Sequence, residues 1–251
     1  MVEQNTINNV DCVKGMKTLK DKCIDMVITS PPYDNLRQYN GYSFDFKGVA
    51  NELYRLLKDN SVVVWVVGDQ TVKGSESGTS FKQALYFKEI GFNLHDTMIY
   101  KKNSSTFPAK RNGNRYTQIF EYMFIFSKGN PKANLICDKK NKWAGHKDFS
   151  GILKNPVPDK SPRTNIWEYT TSFNDKNDHP AVFPEKLVYD NLISWSDRKD
   201  LILDPFMGSG TTAKVALELD RKFIGFEISK EYCNIANKRI ELLLRQEKLD
   251  I

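Results

Sequence analysis

Leu201-Ile202-Leu203-Asp204-Pro205-Phe206-Met207-Gly208-Ser209-Gly210-Thr211-Thr212-Ala213 is the stretch that decides the fold of this 251-residue chain. Three apolar residues ending at Asp204 read as a buried strand, the glycines as a tight turn, and Thr211 to Leu219 as a helix. Lys222 to Phe226 reads as the next strand. Strand, glycine turn, helix and strand make the unit from which parallel sheets are built. Gly208, Gly210 and Ala213 fit G-x-G-x-x-G/A, where glycine permits the turn and the close approach of a ligand. Glu227 follows Gly208 by 19 residues, at the end of the second strand, where an acid can accept hydrogen bonds from both ribose hydroxyls of an adenosine cofactor. A purely structural turn with an exposed Glu would leave the same pattern. A phosphate-cradling loop fits poorly, because no Gly-Lys-Ser/Thr follows the glycines. An NAD dehydrogenase is the stronger rival, although Asp204-Pro205-Phe206 before the first glycine is atypical of one.

The same alternation extends outward. Ser229 is placed to cap a last helix with apolar positions at Tyr232, Ile235, Ala236, Ile240 and Leu243. Pro184 can open a helix that runs to about Trp195. Further upstream, Ile24 to Thr29 is a short apolar run stopped by prolines, and Phe46 to Leu57 carries a helical apolar stripe. Ser61 to Val67 is continuous and β-branched, as in a strand buried on both faces. Phe81 to Ile90 reads as a helix ended by Gly91, and Phe92 to Tyr100 and Ile119 to Phe126 as strands. The expected fold is a doubly wound, Rossmann-like parallel α/β sheet. Between Ser127 and Asn165 periodicity fails and glycine and proline recur, marking an insert. The expected division is 1–127, an insert at 128–165, and 166–251 completing the first part.

Composition excludes several classes. Thirty-seven Lys and Arg stand against 31 Asp and Glu, with 12% aromatic residues, which is unlike a disordered chain. The longest aliphatic run, Val62 to Val67, is far short of the roughly 20 residues of a membrane span, and no secretory signal is visible at the start. Cys12, Cys23, Cys137 and Cys233 are too scattered for a disulfide framework or a zinc site, so no metal is expected and reduced thiols of a cytoplasmic protein are. The charge is uneven. Lys101 to Asn165 holds 14 basic and 4 acidic residues, interleaved with aromatics, as a phosphate backbone selects. A solvated basic loop without a partner has the same composition.

Thr29-Ser30-Pro31-Pro32-Tyr33 closes the first strand. Two successive prolines fix both φ angles, so the loop is stiff and its carbonyls point in set directions. Together with the glycine loop, this motif resembles the catalytic motif of the DNA amino-methyltransferases that use S-adenosylmethionine. Asp-Pro-Phe-Met-Gly-Ser-Gly-Thr-Thr resembles their cofactor loop. Catalytic motif first, basic insert next and cofactor loop last is similar to the order of the permuted β group, and the likeness runs over nearly the whole chain.

The resemblance implies catalytic roles for Ser30, Pro31, Pro32 and Tyr33. It implies cofactor contacts for Asp204, Pro205, Phe206, Gly208, Ser209, Gly210, Thr211, Thr212 and Glu227, and for Asp11 within Asn9-Val10-Asp11-Cys12. His179-Pro180 through Phe183-Pro184-Glu185-Lys186 resembles the segment that closes over the methionine end, with Ala181, Val182 and Phe183 where the family has polar residues. Double-stranded DNA is the implied partner, with Lys128, Lys132, Lys139, Lys140, Lys142, Lys147 and Arg163 as phosphate contacts. Arg163, Asn141, Asn155 and Asn165 are candidates for base edges. Asn112 to Tyr116 is placed to line a flipped-base pocket, and Tyr39 and Tyr42 are candidates for hinge packing or DNA contact. A homodimer and a cognate restriction endonuclease are further partners the group implies. An exocyclic amine is a poor nucleophile, and the Ser30 hydroxyl and Pro31 carbonyl can hold its protons while Tyr33 stacks on the extracted base. Carbon-5 methylation would need a thiolate, usually from a Cys after a Pro, and no cysteine here has that neighbour. A Ser at the head of the motif favours N4 of cytosine, with N6 of adenine the alternative. A non-catalytic DNA-binding module is the more distant one.

Overall fold

The computed structural model describes residues 3–32, 44–103, 114–146, 156–170 and 183–247. In chain order its strands are β1 (Thr6–Asn8), β2 (Ile24–Thr29), β3 (Leu57–Val67), β4 (Thr71–Val72), β5 (Ser75–Glu76), β6 (Asn93–Lys102), β7 (Phe120–Lys128), β8 (Lys139–Lys140), β9 (Lys160–Ser161), β10 (Ile166–Tyr169), β11 (Leu201–Asp204) and β12 (Lys222–Phe226). Its helices are α1 (Cys12–Met16), α2 (Phe46–Leu56), α3 (Thr79–Glu89), α4 (Glu185–Trp195), α5 (Thr211–Glu218) and α6 (Lys230–Glu247).

Eight strands form one sheet in the order β1-β12-β11-β2-β3-β7-β6-β10. Its central strands are apolar without interruption because both faces are covered, and successive residues alternate between two core layers. Val62, Val64 and Val66 of β3 join Leu187, Ala213 and Ala236 in one core layer under α4, α5 and α6. Val63, Trp65 and Val67 join Val49, Leu53 and Phe87 in the other, under α1, α2 and α3. The doubly wound α/β arrangement is therefore observed. One strand departs from the expected parallel sense, since β7 runs antiparallel to both β3 and β6. Its first residue, Phe120, lies at the edge where the seven other strands end, and its last, Lys128, at the edge where they begin.

That reversal brings Lys128 to the amino edge of the sheet. Lys128 faces Ser61 across the ladder, and its ammonium donates to the carbonyls of Tyr54 (2.9 Å) and Leu57 (3.0 Å), over the Tyr54 ring. Only 13% of its side chain is exposed, and burial lowers its pKa. Lys132 lies at the same amino edge and pairs with Asp197 at 3.0 Å. Neither lysine faces the edge where the glycine loop and the Ser-Pro-Pro loop lie, and each is engaged by a group of the fold. Arg163 anchors the end of the insert instead of standing free. It reaches Asp190 of α4 at 2.7 Å and Asp138 at 2.5 Å, and Asp190 also accepts from Tyr169 and Lys186. The insert contains a short β8–β9 ladder, and β10 follows it onto the sheet edge beside β6.

Replacing Lys128 with Met keeps the apolar stem and removes the two carbonyl partners. A loss of about 1–3 kcal/mol in urea-unfolding stability is expected, with no change in the salt dependence of DNA binding. A flatter salt slope with unchanged stability would make Lys128 a DNA contact.

Candidate active site

In β2 and β11 the apolar runs Ile24–Thr29 and Leu201–Asp204 lie side by side, Met26 against Ile202 and Val27 against Leu203. From β2 the chain crosses through α2 to β3 on one side, and from β11 through α5 to β12 on the other. The sheet order therefore reverses between these two strands, and outside their carboxyl ends is where ligands bind in such sheets. The two sequence motifs lie on either side of that point. Ser30 is half-buried, Pro31 buried and Pro32 half-buried. Tyr33, Tyr39, Tyr42, Asn112, Gly113, Lys147, Asn155 and 179–182 lie outside the described residues, as do any contacts they make.

A single buried carboxylate connects the motifs. Asp204 accepts from Thr29 Oγ1 at 2.7 Å, from Thr212 Oγ1 at 2.6 Å and from the Phe206 amide at 3.0 Å. Burial pushes this carboxyl up to about 6 against the lowering effect of those three donors. Thr29 directly precedes Ser30, so the bond fixes the Ser-Pro-Pro segment against the start of the glycine loop across 175 residues of chain.

Within the glycine loop the donors are largely engaged. The Phe206 amide serves Asp204, Met207 donates to Phe226 O, Gly208 to Glu227 Oε2 and Gly210 to Met207 O. Such a loop is no phosphate cradle, and it suits a cofactor that lacks phosphate better than a dinucleotide. Gly210 has φ +83°, and a Cβ there would stand 2.8 Å from Ala236 Cβ and 3.0 Å from its Cα, so glycine is required on both counts. Side chains behind the loop shape it. Arg239 of α6 donates to Ser209 O (3.3 Å) and Thr211 Oγ1 (3.1 Å), and to Glu185 Oε1 at 2.6 Å. Glu185 opens α4 after the Pro184 cap and also holds Lys214. Phe206 packs edge-on against Phe44 at 5.4 Å.

Glu227 emerges from β12 as expected. Its Oε2 accepts from Gly208 N at 2.9 Å and its Oε1 from Ser229 N at 2.7 Å, and burial raises its pKa. Each carboxylate oxygen keeps a second lone pair, so the two together fit a vicinal diol while clasping the loop to the start of α6. Asp11 comes to the same edge because β1 pairs with β12 and Asn9 Nδ2 donates to the Glu227 and Ile228 carbonyls. Asp11 Oδ1 caps α1 through Lys14 N at 3.0 Å. The diol acceptor and the phosphate-poor loop fit an adenosine cofactor. Thr29 and Glu185 stand inside the quoted motifs with no individual role marked by the sequence, and Arg239 lies outside them. No short motif marks Arg239, which acts on residues 28 and 30 positions away.

A family model described as DNA methylase matches residues 24–238. The orphan methyltransferase M.BamHII of Bacillus amyloliquefaciens is 56% identical over 245 residues, covering 90% of this chain and 91% of its own. The Type II methyltransferase M.SmaI of Serratia marcescens is 26% identical over 271 residues, with 92% and 88% covered. Among solved structures, PvuII DNA methyltransferase (cytosine-N4-specific) superposes with a TM-score of 0.72 at 22% identity, covering 95% of this chain and 89% of that one. The M1.HpyAVI complex with S-adenosylmethionine gives 0.63 at 26% identity, with 93% and 98% covered. The chain belongs to the DNA methylase family of N4 and N6 amino-methyltransferases. It is an enzyme that uses S-adenosylmethionine to methylate DNA.

Because the folded pKa of Asp204 lies above its unfolded value, the protonated form is the one folding favours. Its contribution to stability is greatest below about pH 4 and is lost as pH rises through about 6, a difference of up to about 3 kcal/mol. Asp204→Asn should lack this component, so that subtracting its pH–stability curve from that of the wild type leaves a fall between those limits. A flat difference curve would show that Asp204 titrates normally. Arg239→Met should weaken S-adenosylmethionine binding about tenfold, or roughly 1.4 kcal/mol, by calorimetry, and Arg239→Lys less. Unchanged affinity would confine Arg239 to holding α6.

Proposed function

We propose that this enzyme methylates N4 of cytosine in duplex DNA, with the target base rotated out of the helix into a crevice above Ser30, Pro31, Pro32 and Tyr33. The observation that carries the reading is the Thr29–Asp204 bond, which sets the Ser-Pro-Pro loop beside the glycine loop at the switch point. Bound S-adenosylmethionine supplies an electrophilic sulfonium methyl group. The chain's own residues then position the amine. The Ser30 hydroxyl and the Pro31 carbonyl accept its two N–H bonds and turn its lone pair toward the methyl, and the stiff backbone does so without reorganising. Tyr33 stacks on the base. Asp11 and Glu227 hold the adenosine end of the cofactor, and residues 205–210 its middle.

Cytosine is favoured by Ser30, the residue that heads the motif in family members acting on that base. The adenine reading rests on a different observation, a 24% identity over 251 residues to the DNA adenine methyltransferase YhdJ of Escherichia coli. Residues 128–165 serve in this proposal as the target-recognition insert, with Lys139, Lys140, Lys142 and Lys147 toward phosphates. Arg163 positions the insert, and Asn141, Asn155 and Asn165 remain the candidates for base edges. A dedicated nuclease is left out, because the 56%-identical relative is described as an orphan. The homodimer is carried over from the group, and sedimentation velocity tests it.

Mass spectrometry of nucleosides from duplex DNA treated with enzyme and S-adenosylmethionine should show N4-methylcytosine. N6-methyladenine as the sole product would overturn the base assignment while keeping the chemistry. Ser30→Ala should lower kcat about a hundredfold or more with little change in cofactor affinity. Full turnover by that variant would remove Ser30 from catalysis.

A further inference from the structure

Beyond the anchor at Arg163, residues 136–146 and 156–163 form an arm. Arg163 N donates to Ile136 O at 2.8 Å, and β8 pairs with β9. Asn141 fastens the far end with its amide on Asp159 O (2.9 Å) and its Nδ2 on Pro158 O (2.8 Å). Gly145, at φ +78°, donates to Val157 O, and Val157 donates back to His146 O, both at 2.9 Å. This closed turn displays the indole of Trp143, which is 65% exposed and braced by the His146 ring at 5.8 Å, nearly perpendicular.

An indole held in water on an ordered turn forgoes burial that its apolar area would favour. Its surroundings identify what covers it. Lys139, Lys140, Lys142 and Lys160 are all exposed and none forms an ion pair with a described residue, while the arm's Asp138 is held by Arg163 with Lys160 close enough to add to the lowering of its pKa. An excess of free cations around one rigid aromatic is complementary to a polyanion with apolar faces between its charges. Resting on the reading of 128–165 as the DNA-facing insert, we propose that Trp143 is a DNA-contact residue that packs against a sugar and base face while the neighbouring lysines take the flanking phosphates. Its energetic role differs in kind from theirs. The indole contributes a salt-independent term, because it releases no counterions, whereas each lysine on a phosphate steepens the salt dependence.

The test uses the full chain with sheared bacterial genomic duplex DNA. Trp143→Ala is expected to weaken binding about tenfold at every salt concentration, with the slope of log K against log salt unchanged. Trp143→Phe should retain most of the affinity. The emission difference between wild type and Trp143→Phe should lose its quenching by acrylamide when DNA is added. Wild-type affinity in Trp143→Ala, with Trp143 emission still quenched in the presence of DNA, would overturn the proposal. A triple Lys139→Gln, Lys140→Gln, Lys142→Gln variant tests the underlying reading separately, and its slope should flatten by about 2–3. If the triple variant flattens and Trp143→Ala has no effect, only the indole contact is lost. If neither changes binding, the arm is not the DNA face and both fall.

Discussion

The carboxylate of Asp204 takes hydrogen bonds from Thr29, Thr212 and the Phe206 amide inside the sheet's carboxyl end, and the candidate site is built on that one group. Burying it is unfavourable, and burial outweighs the three neutral donors to push its pKa up to about 6. Apolar residues at these positions would be less costly to bury. They would also be non-directional. A carboxylate with two oxygens can define the separation of a strand end, a loop start and a helix start at once, and those are the three pieces that carry Ser30, Phe206 and Thr212. Asp204 therefore trades stability for geometry, at the one point where the sheet order reverses.

A second set of charges supports the loop from behind. Arg239 reaches Ser209 and Thr211 from α6 and Glu185 at the head of α4, and Lys214 of α5 shares the same Glu185. Three helices are thus registered to the glycine turn through one partly exposed carboxylate. Neighbouring cations lower the pKa of Glu185 despite the opposing effect of its burial, so this clasp is ionised at neutral pH. The contrast with Asp204 follows from partners: cations hold Glu185 charged, while only neutral donors meet Asp204.

Much of this was legible in the chain. The helices at Phe46 and Thr211 and the strands at Ile24 and Lys222 follow from apolar spacing and breakers, and β2 and β12 match their expected limits. Pro184 caps α4 and is not its first residue, a one-position difference that a proline's fixed φ allows either way. What escaped was short or long-range. β1, α1 and β10 span three to five residues each, too few for a period to appear, and the sense of β7 depends on a ladder with β3 that no local pattern encodes. Both key loops were visible as motifs, but the Thr29–Asp204 bond that unites them was not, since a threonine ending an apolar run is unremarkable in sequence.

The basic insert shows why charge counts alone mislead about contact. Composition pooled Lys128, Lys132 and Arg163 with the lysines of the arm, because all lie in one cationic quarter of the chain. Folding sorts them by the edge of the sheet each reaches. Lys128 is drawn over the Tyr54 ring to satisfy two carbonyls, Lys132 pairs with Asp197, and Arg163 is fixed between Asp138 and Asp190. Each of these cations answers a need of the fold, and a phosphate would have to compete with a partner already in place. Lys139, Lys140 and Lys142 form no ion pair with a described residue, so desolvating them against DNA breaks no such pair. The exposed lysines of the arm are concentrated in sequence around a largely exposed indole.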